Sequence, residues 1–147
     1  MPEIQIIKAS SNQAHSISVL TKIFFPYINL SLDAIKQRLD STTVEYYIAL
    51  HNNATIGFID LEFQEDCAKI LGFCVVPEFL GSGVGTRLIE TVLARAKEKN
   101  YEKIFLLVEE NNALAICLYE KLGFSRQGAL AEKLWGKKVL LLAKKLR

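Results

Sequence analysis

Cysteine, histidine, proline and methionine are all scarce in this chain, and what is scarce limits what the protein can be. Three cysteines (Cys67, Cys74 and Cys117) and two histidines (His15 and His51) are scattered through 147 residues. No C-x-x-C pair occurs among them, so neither a zinc ribbon nor a disulfide scaffold is available, and no metal is expected. An excess of charge of one sign is missing too. Eighteen basic against 16 acidic residues leave a net charge of +2, whereas dedicated nucleic-acid domains cluster many more cations on one face. The one dense basic stretch, from Lys137-Lys138 to Arg147, brackets an apolar run and reads as the solvated end of a strand. Apolar runs fall far short of the ~18 residues that span a bilayer. The opening MPEIQIIKAS has no basic segment leading into an apolar core. A cytoplasmic protein with no nucleic-acid and no membrane partner is expected.

The three prolines and eight glycines are spread as local punctuation, with no linker and no repeat. One domain over residues 1–147 is the simplest organisation, and half of the residues are hydrophobic, enough for a sizeable core. Ile4, Ile6 and Ile7 suggest a first strand; Ile17, Leu20 and Phe24 recur at helical spacing before Pro26. Ser31 is placed to cap a second helix carrying Leu32, Ile35 and Leu39. Val44–Leu50 and Thr55–Phe63 read as a hairpin turning at Asn52-Asn53, and Ala68–Val76 as a third strand stopped by Pro77. From there the pattern alternates: a helix over Gly83–Lys99, a strand over Lys103–Val108, a helix over Asn111–Leu122, then strands over Phe124–Gly128 and Lys138–Leu146. That order predicts an α/β domain with a mixed sheet.

The chemistry concentrates where the third strand meets the next helix, at Val75-Val76-Pro77-Glu78-Phe79-Leu80-Gly81-Ser82-Gly83-Val84-Gly85-Thr86. Glycines at alternate positions allow positive φ and a close backbone approach. Unpaired N–H groups at a helix start, aligned with its dipole, suit a phosphate or pyrophosphate. Arg87 lies one position further on as a possible cation. Two familiar phosphate loops are excluded. A Walker A loop needs Lys after its last glycine, and Thr86 follows Gly85; a dinucleotide fingerprint needs glycine where Thr86 stands. The same residues also fit a turn that only packs strand on helix.

A second pattern follows: Asn112-x-x-Ala115-Ile116-x-Leu118-Tyr119-Glu120-Lys121-x-Gly123-Phe124. Taken together, the two segments resemble the GNAT superfamily of N-acetyltransferases, over about Ile56–Phe124. In that family the loop reads Arg/Gln-x-x-Gly-x-Gly/Ala; Gly83 and Gly85 match its glycines, while Leu80 stands where Arg or Gln is expected. The resemblance implies a largely antiparallel central sheet flanked by helices, and acetyl-CoA as co-substrate. Residues Cys74, Val75 and Val76 of the bulged strand, and Gly81, Ser82, Gly83, Val84, Gly85 and Thr86 of the loop, would then hold coenzyme A. Asn112 matches the family's coenzyme A-contacting Asn, and Tyr119 its usual catalytic Tyr.

The chemistry so implied is acetyl transfer to a primary amine (a protein N-terminus, a lysine or a small molecule) by direct attack through a tetrahedral intermediate. The amine must lose a proton, the oxyanion needs fixed donors, and the thiolate needs a proton. Backbone N–H groups near Cys74–Val76 suit the second need and Tyr119 the third. For the base, Lys69 and Leu107 occupy positions where relatives carry Glu; Glu62 is the best remaining carboxylate, with His51, Glu109 and Glu110 behind it. Acceptor contacts are expected from residues 10–45, including Phe24, Phe25, Tyr27 and Tyr46-Tyr47, and from the loop Leu130–Trp135. The contrasting possibility is a coenzyme A-binding regulatory module with little turnover. A monomer or a homodimer is expected.

Overall fold

A computed structural model describes residues 3–147. Among these residues seven strands form one sheet: β1 (Gln5–Lys8), β2 (Val44–His51), β3 (Ala54–Phe63), β4 (Ala68–Val75), β5 (Lys103–Glu109), β6 (Ser125–Ala129) and β7 (Val139–Lys145). Their order is β1-β2-β3-β4-β5-β7-β6, and only β4 and β5 run parallel. Four α-helices accompany the sheet among the described residues: α1 (Ala14–Phe24), α2 (Leu32–Asp40), α3 (Val84–Glu98) and α4 (Ala113–Lys121). The mixed sheet is as the order of elements predicts, and its largely antiparallel pairing with flanking helices is as the family resemblance implies. No helix among the described residues is long and apolar enough to cross a membrane.

Local chemistry sets the element ends. The Ser31 hydroxyl accepts the Ala34 N–H at 3.1 Å and starts α2. Asn52 and Asn53 both take positive φ, as a tight hairpin turn requires. The sheet is covered on both faces, which is why six successive residues of β2 are buried rather than every second one. On one face Leu88, Ile89, Val92 and Ala96 of α3 pack on Ile59, Leu61, Ile104 and Leu106. On the other, Ile17, Leu20 and Ile35 of α1 and α2 pack on Tyr46, Ile48 and Phe58. Each such fully buried aliphatic side chain contributes ~1.5–3 kcal/mol. Glu45 ties the edge together: Arg95 Nε and Nη2 donate to its two oxygens at 2.8 and 3.0 Å, and the Tyr47 hydroxyl donates at 2.7 Å. Burial raises this carboxyl, but the bonds from Arg95 and Tyr47 and the charges of Lys8 and Arg95 outweigh it and hold the carboxyl at about 2.

Two departures from regular pairing open the sheet at its centre. Between β3 and β4 the register jumps: Asp60 faces Gly72 but Leu61 faces Ile70, leaving Leu71 as an extra residue. Beyond that bulge β4 leaves β5, since the two pair only over Ala68–Ile70 and Ile104–Leu106. The result is a gap between strands, next to the start of α3.

Candidate active site

A groove of about 530 Å³ runs from that gap along the start of α3. One wall is β4, with Phe73, Cys74 and Val75; the far wall is the start of α4, with Asn112, Leu114, Ala115 and Leu118. Phe24 and Phe25 at the end of α1 close one end, and Leu80, Gly81, Gly83, Gly85 and Thr86 form the other. The backbone of β4 is unusually available here. Val76 N–H donates to Ile56 C=O in β3 at 2.8 Å. Alternate N–H groups of a strand point to opposite neighbours, so those of Phe73 and Val75 face the gap that β5 vacates.

The glycine loop is shaped for close approach. Gly83 caps α3 with φ +89°, in the left-handed region that glycine tolerates. The bond from Arg87 N–H to Gly83 C=O, 3.1 Å, opens the helix, so the N–H groups of Val84, Gly85 and Thr86 precede the helical ladder. Gly85 is needed for packing: a Cβ there would lie 3.0 Å from Leu118 Cδ2 and 3.1 Å from Phe73 Cζ. Absence of that one atom lets α3 close on both walls. Together these features make an anion-binding end on an otherwise apolar groove.

The expected residues divide between groove and surroundings. Cys74, Val75, Gly81, Gly83, Gly85, Thr86 and Asn112 line it. Asn112 also caps α4, its Oδ1 accepting the Ala115 N–H at 3.3 Å, so the helix proper starts at Ala113 and not at Asn111. Val84 turns inward, 1% exposed, and Ser82 turns outward to bond its own loop at Phe79 C=O. Val76 bonds to β3 and is no part of the groove wall. Tyr119 lies directly behind the wall, 3% exposed, its ring 5.7 Å from that of Phe73 and 5.3 Å from that of Phe124. Burial pushes its phenol well above the usual value, and the charge of Asp60 adds to this. Burial also raises the Cys74 thiol to about 12, so it stays protonated and is a poor nucleophile.

Three expectations meet a different arrangement. Glu62 is not brought to the groove: it faces Lys69 near the far end of the β3–β4 ladder and accepts a bond from Gln64 Nε2 at 2.8 Å. Arg87 does not turn to the loop, because its guanidinium donates to Ile4 C=O at 2.8 Å. Tyr46 and Tyr47 are core residues on opposite faces of the sheet, while Phe24 and Phe25 do reach the groove. At the groove's aromatic end, Phe25 meets Tyr27 with ring centroids 6.5 Å apart, and Tyr27 meets the exposed Trp135 at 5.0 Å. Burial and the neighbouring Glu109 both raise the Tyr27 phenol. Phe73, Phe79 and Leu118 also line the groove, though none is among the site residues expected from the sequence. Alternation along β4 carries the signal for Phe73, since it and Val75 share a face.

Comparison with known proteins gives this geometry a context. Residues 14–124 match the model of the acetyltransferase (GNAT) family. A [ribosomal protein bS18]-alanine N-acetyltransferase of Haemophilus influenzae is 34% identical over 76 residues, 52% of this chain and 51% of that protein. The chain thus spans about half the length of this relative. Among solved structures, the PaiA N-acetyltransferase of Thermoplasma acidophilum in complex with coenzyme A superposes with a TM-score of 0.80. Identity is 20%, covering 97% of this chain and 99% of that one. The ribosomal-protein-S18-alanine N-acetyltransferase of Escherichia coli gives 0.84 at 17% identity, covering 98% and 94%. At those identities the likeness is one of fold.

Proposed function

Because this chain belongs to the GNAT acetyltransferase family, we propose that it moves an acetyl group from acetyl-CoA to a primary amine by direct attack. One observation carries the reading. The groove joins a glycine-opened helix start to a stretch of β4 whose N–H groups have lost their strand partner. The first suits a pyrophosphate. The second suits the amide groups and thioester carbonyl of an extended pantetheine arm, with the Phe73 and Val75 N–H groups as donors to an oxyanion. Asn112, on the opposite wall, lies within the same groove. Tyr119 stands behind Phe73 as proton donor to the departing thiolate; its raised pKa keeps the proton in place across the neutral range. The acceptor enters from the Phe25–Tyr27–Trp135 end. A raised thiol at Cys74 weighs against an acyl-cysteine route.

Incubation with radiolabelled acetyl-CoA and three amines tests this reading: a peptide with a free N-terminal alanine, a lysine amide blocked at its α-amine, and spermidine. Label is expected to transfer to at least one. Tight binding of acetyl-CoA with transfer to none of them would instead describe a coenzyme A-binding regulatory module.

Leu80 bears on affinity. It is 57% exposed at the anion end of the groove, and with Arg87 committed to Ile4 the loop itself contributes no cation. Leu80→Arg is expected to tighten coenzyme A binding by up to ~1 kcal/mol, the screened value for an exposed charge pair. Calorimetry at two salt concentrations checks it: the gain should shrink as salt rises. Unchanged affinity at low salt would show that the backbone donors alone saturate the site.

A further inference from the structure

Asp60 is a charge placed where the sheet gains nothing from it. It sits in mid-β3 between Ile59 and Leu61, both fully buried, and is itself 3% exposed. Burying a carboxylate costs more than burying an apolar side chain of like volume, even when it is paired. Two other residues are committed to keeping it there. Arg38, from α2, donates from Nη2 to Oδ2 at 2.8 Å. Gly72, its register partner on β4, leaves the space for Oδ1: a Cβ at residue 72 would lie 2.8 Å from that oxygen. Gly72 is also the residue just past the bulge, where β4 parts from β5. The carboxylate is no part of the groove lining; it lies behind it on the side of α1 and α2, opposite Gly72 and two residues along β4 from the groove-lining Cys74.

We propose that Asp60 accepts, through water, the proton the acceptor amine must lose, with Arg38 as its positioning residue. This rests on the transferase reading above. The ammonium gives one proton, through water, to the Asp60 carboxylate, which passes it to solvent. Its nitrogen then bonds the thioester carbon, the C–S bond breaks as the adduct collapses, and the second proton lost from nitrogen restores the one Tyr119 gives to the thiolate. Titration agrees with the geometry. Burial raises the Asp60 carboxyl, the Arg38 charge and the N–H groups of Gly72 and Asp60 lower it, and it settles at about 7. The other groups that sense it are Tyr46 on β2, Glu62 on β3, Cys74 on β4 and Tyr119 on α4. Tyr46, Cys74 and Tyr119 are held neutral by burial, so Arg38 alone stabilises the charged form by its own charge.

The test is the pH dependence of kcat/KM for whichever of the three amines the wild type acetylates best, compared among wild type, Asp60→Asn and Arg38→Gln. Asp60→Asn should lower the rate ~100-fold or more while leaving the coenzyme A dissociation constant unchanged. Arg38→Gln removes the cation that lowers the carboxyl, so the rising limb of the profile should move to higher pH by about 1–3 units. Comparison on one amine cancels the amine's own titration. If Asp60→Asn fails to fold, the Arg38→Gln limb still decides, as does carboxyl-carbon NMR of the wild type, where one aspartate should titrate near neutral pH. A folded Asp60→Asn protein within twofold of wild type, or an Arg38→Gln limb that does not move, overturns the assignment and leaves the transferase reading standing. A wild type that acetylates none of the amines overturns both.

Discussion

Tyr119→Phe is expected to lower kcat about 100-fold at saturating acetyl-CoA, with the cofactor dissociation constant nearly unchanged. The substitution keeps the ring and its packing against Phe73 and Phe124, and removes only the hydroxyl. Loss of a positioned general acid costs ~100–10,000-fold. A thiolate of pKa ~8.5 leaves partly unaided, which places this case at the lower end. The environment makes the residue a donor and not a base, since burial holds its phenol neutral. The fall belongs in kcat, because the interaction arises as the C–S bond breaks and not when acetyl-CoA binds. Single-turnover measurement ensures that chemistry is what is timed. A single-turnover rate within twofold of wild type would make Tyr119 a packing residue and water the donor.

Local signals in the sequence located the elements well, because their causes are local. Ser31 caps α2 through a bond to a residue three positions on, and Asn52-Asn53 turn the hairpin by their own backbone preference. The glycine loop was legible for the same reason: strand, glycines and helix adjoin in the chain. What the sequence concealed depends on which strands meet and where they part. Arg87 looks like a loop cation until β1 brings the Ile4 carbonyl to it from 83 residues away. Glu62 lies four residues along β3 from Phe58, the partner of the groove-lining Cys74. At ~3.3 Å per residue that is roughly 13 Å along the strand. Asp60 carried a signal, an acid between two apolar residues in a buried strand. Its meaning needed the bulge at Leu71 and the bare Gly72 opposite, and no spacing in the chain announces either.

The aromatic end of the groove shows the same division. Phe25, Tyr27 and Trp135 were expected near an acceptor from their places in the chain, and they do meet. The two ion pairs beside them were not foreseen: Lys137 reaches Glu109 at 3.5 Å and Lys138 reaches Glu110 at 3.0 Å. With both carboxylates already matched by cations, this rim presents aromatic surface and little net charge. Under the proposed function, shape and apolar contact would then weigh more in the choice of amine than attraction to its charge.

Gly83→Val is expected to abolish most of the stabilisation that acetyl-CoA confers. A ligand that binds only the folded state, supplied at 100 times its dissociation constant, adds ~2.7 kcal/mol. In a domain of this size that is a rise of roughly 5–10 °C in Tm. Gly83 sits at φ +89° with nothing within 4 Å of where a Cβ would be. A Cβ there therefore stands in open space beside the helix start. Two effects then separate. The left-handed backbone strains any side chain by ~1–2 kcal/mol, which lowers the Tm of the unliganded variant. The branched side chain obstructs the approach of a phosphate to the Val84, Gly85 and Thr86 N–H groups, which lowers only the ligand-induced shift. A hundredfold loss of affinity would leave ~0.4 kcal/mol of that shift at the same ligand concentration. Gly83→Ala carries the backbone strain with little bulk and should keep a larger part of the shift, so the pair distinguishes strain from obstruction. A folded Gly83→Val protein whose Tm rises as far as the wild type's would show that the pyrophosphate does not rest on this loop.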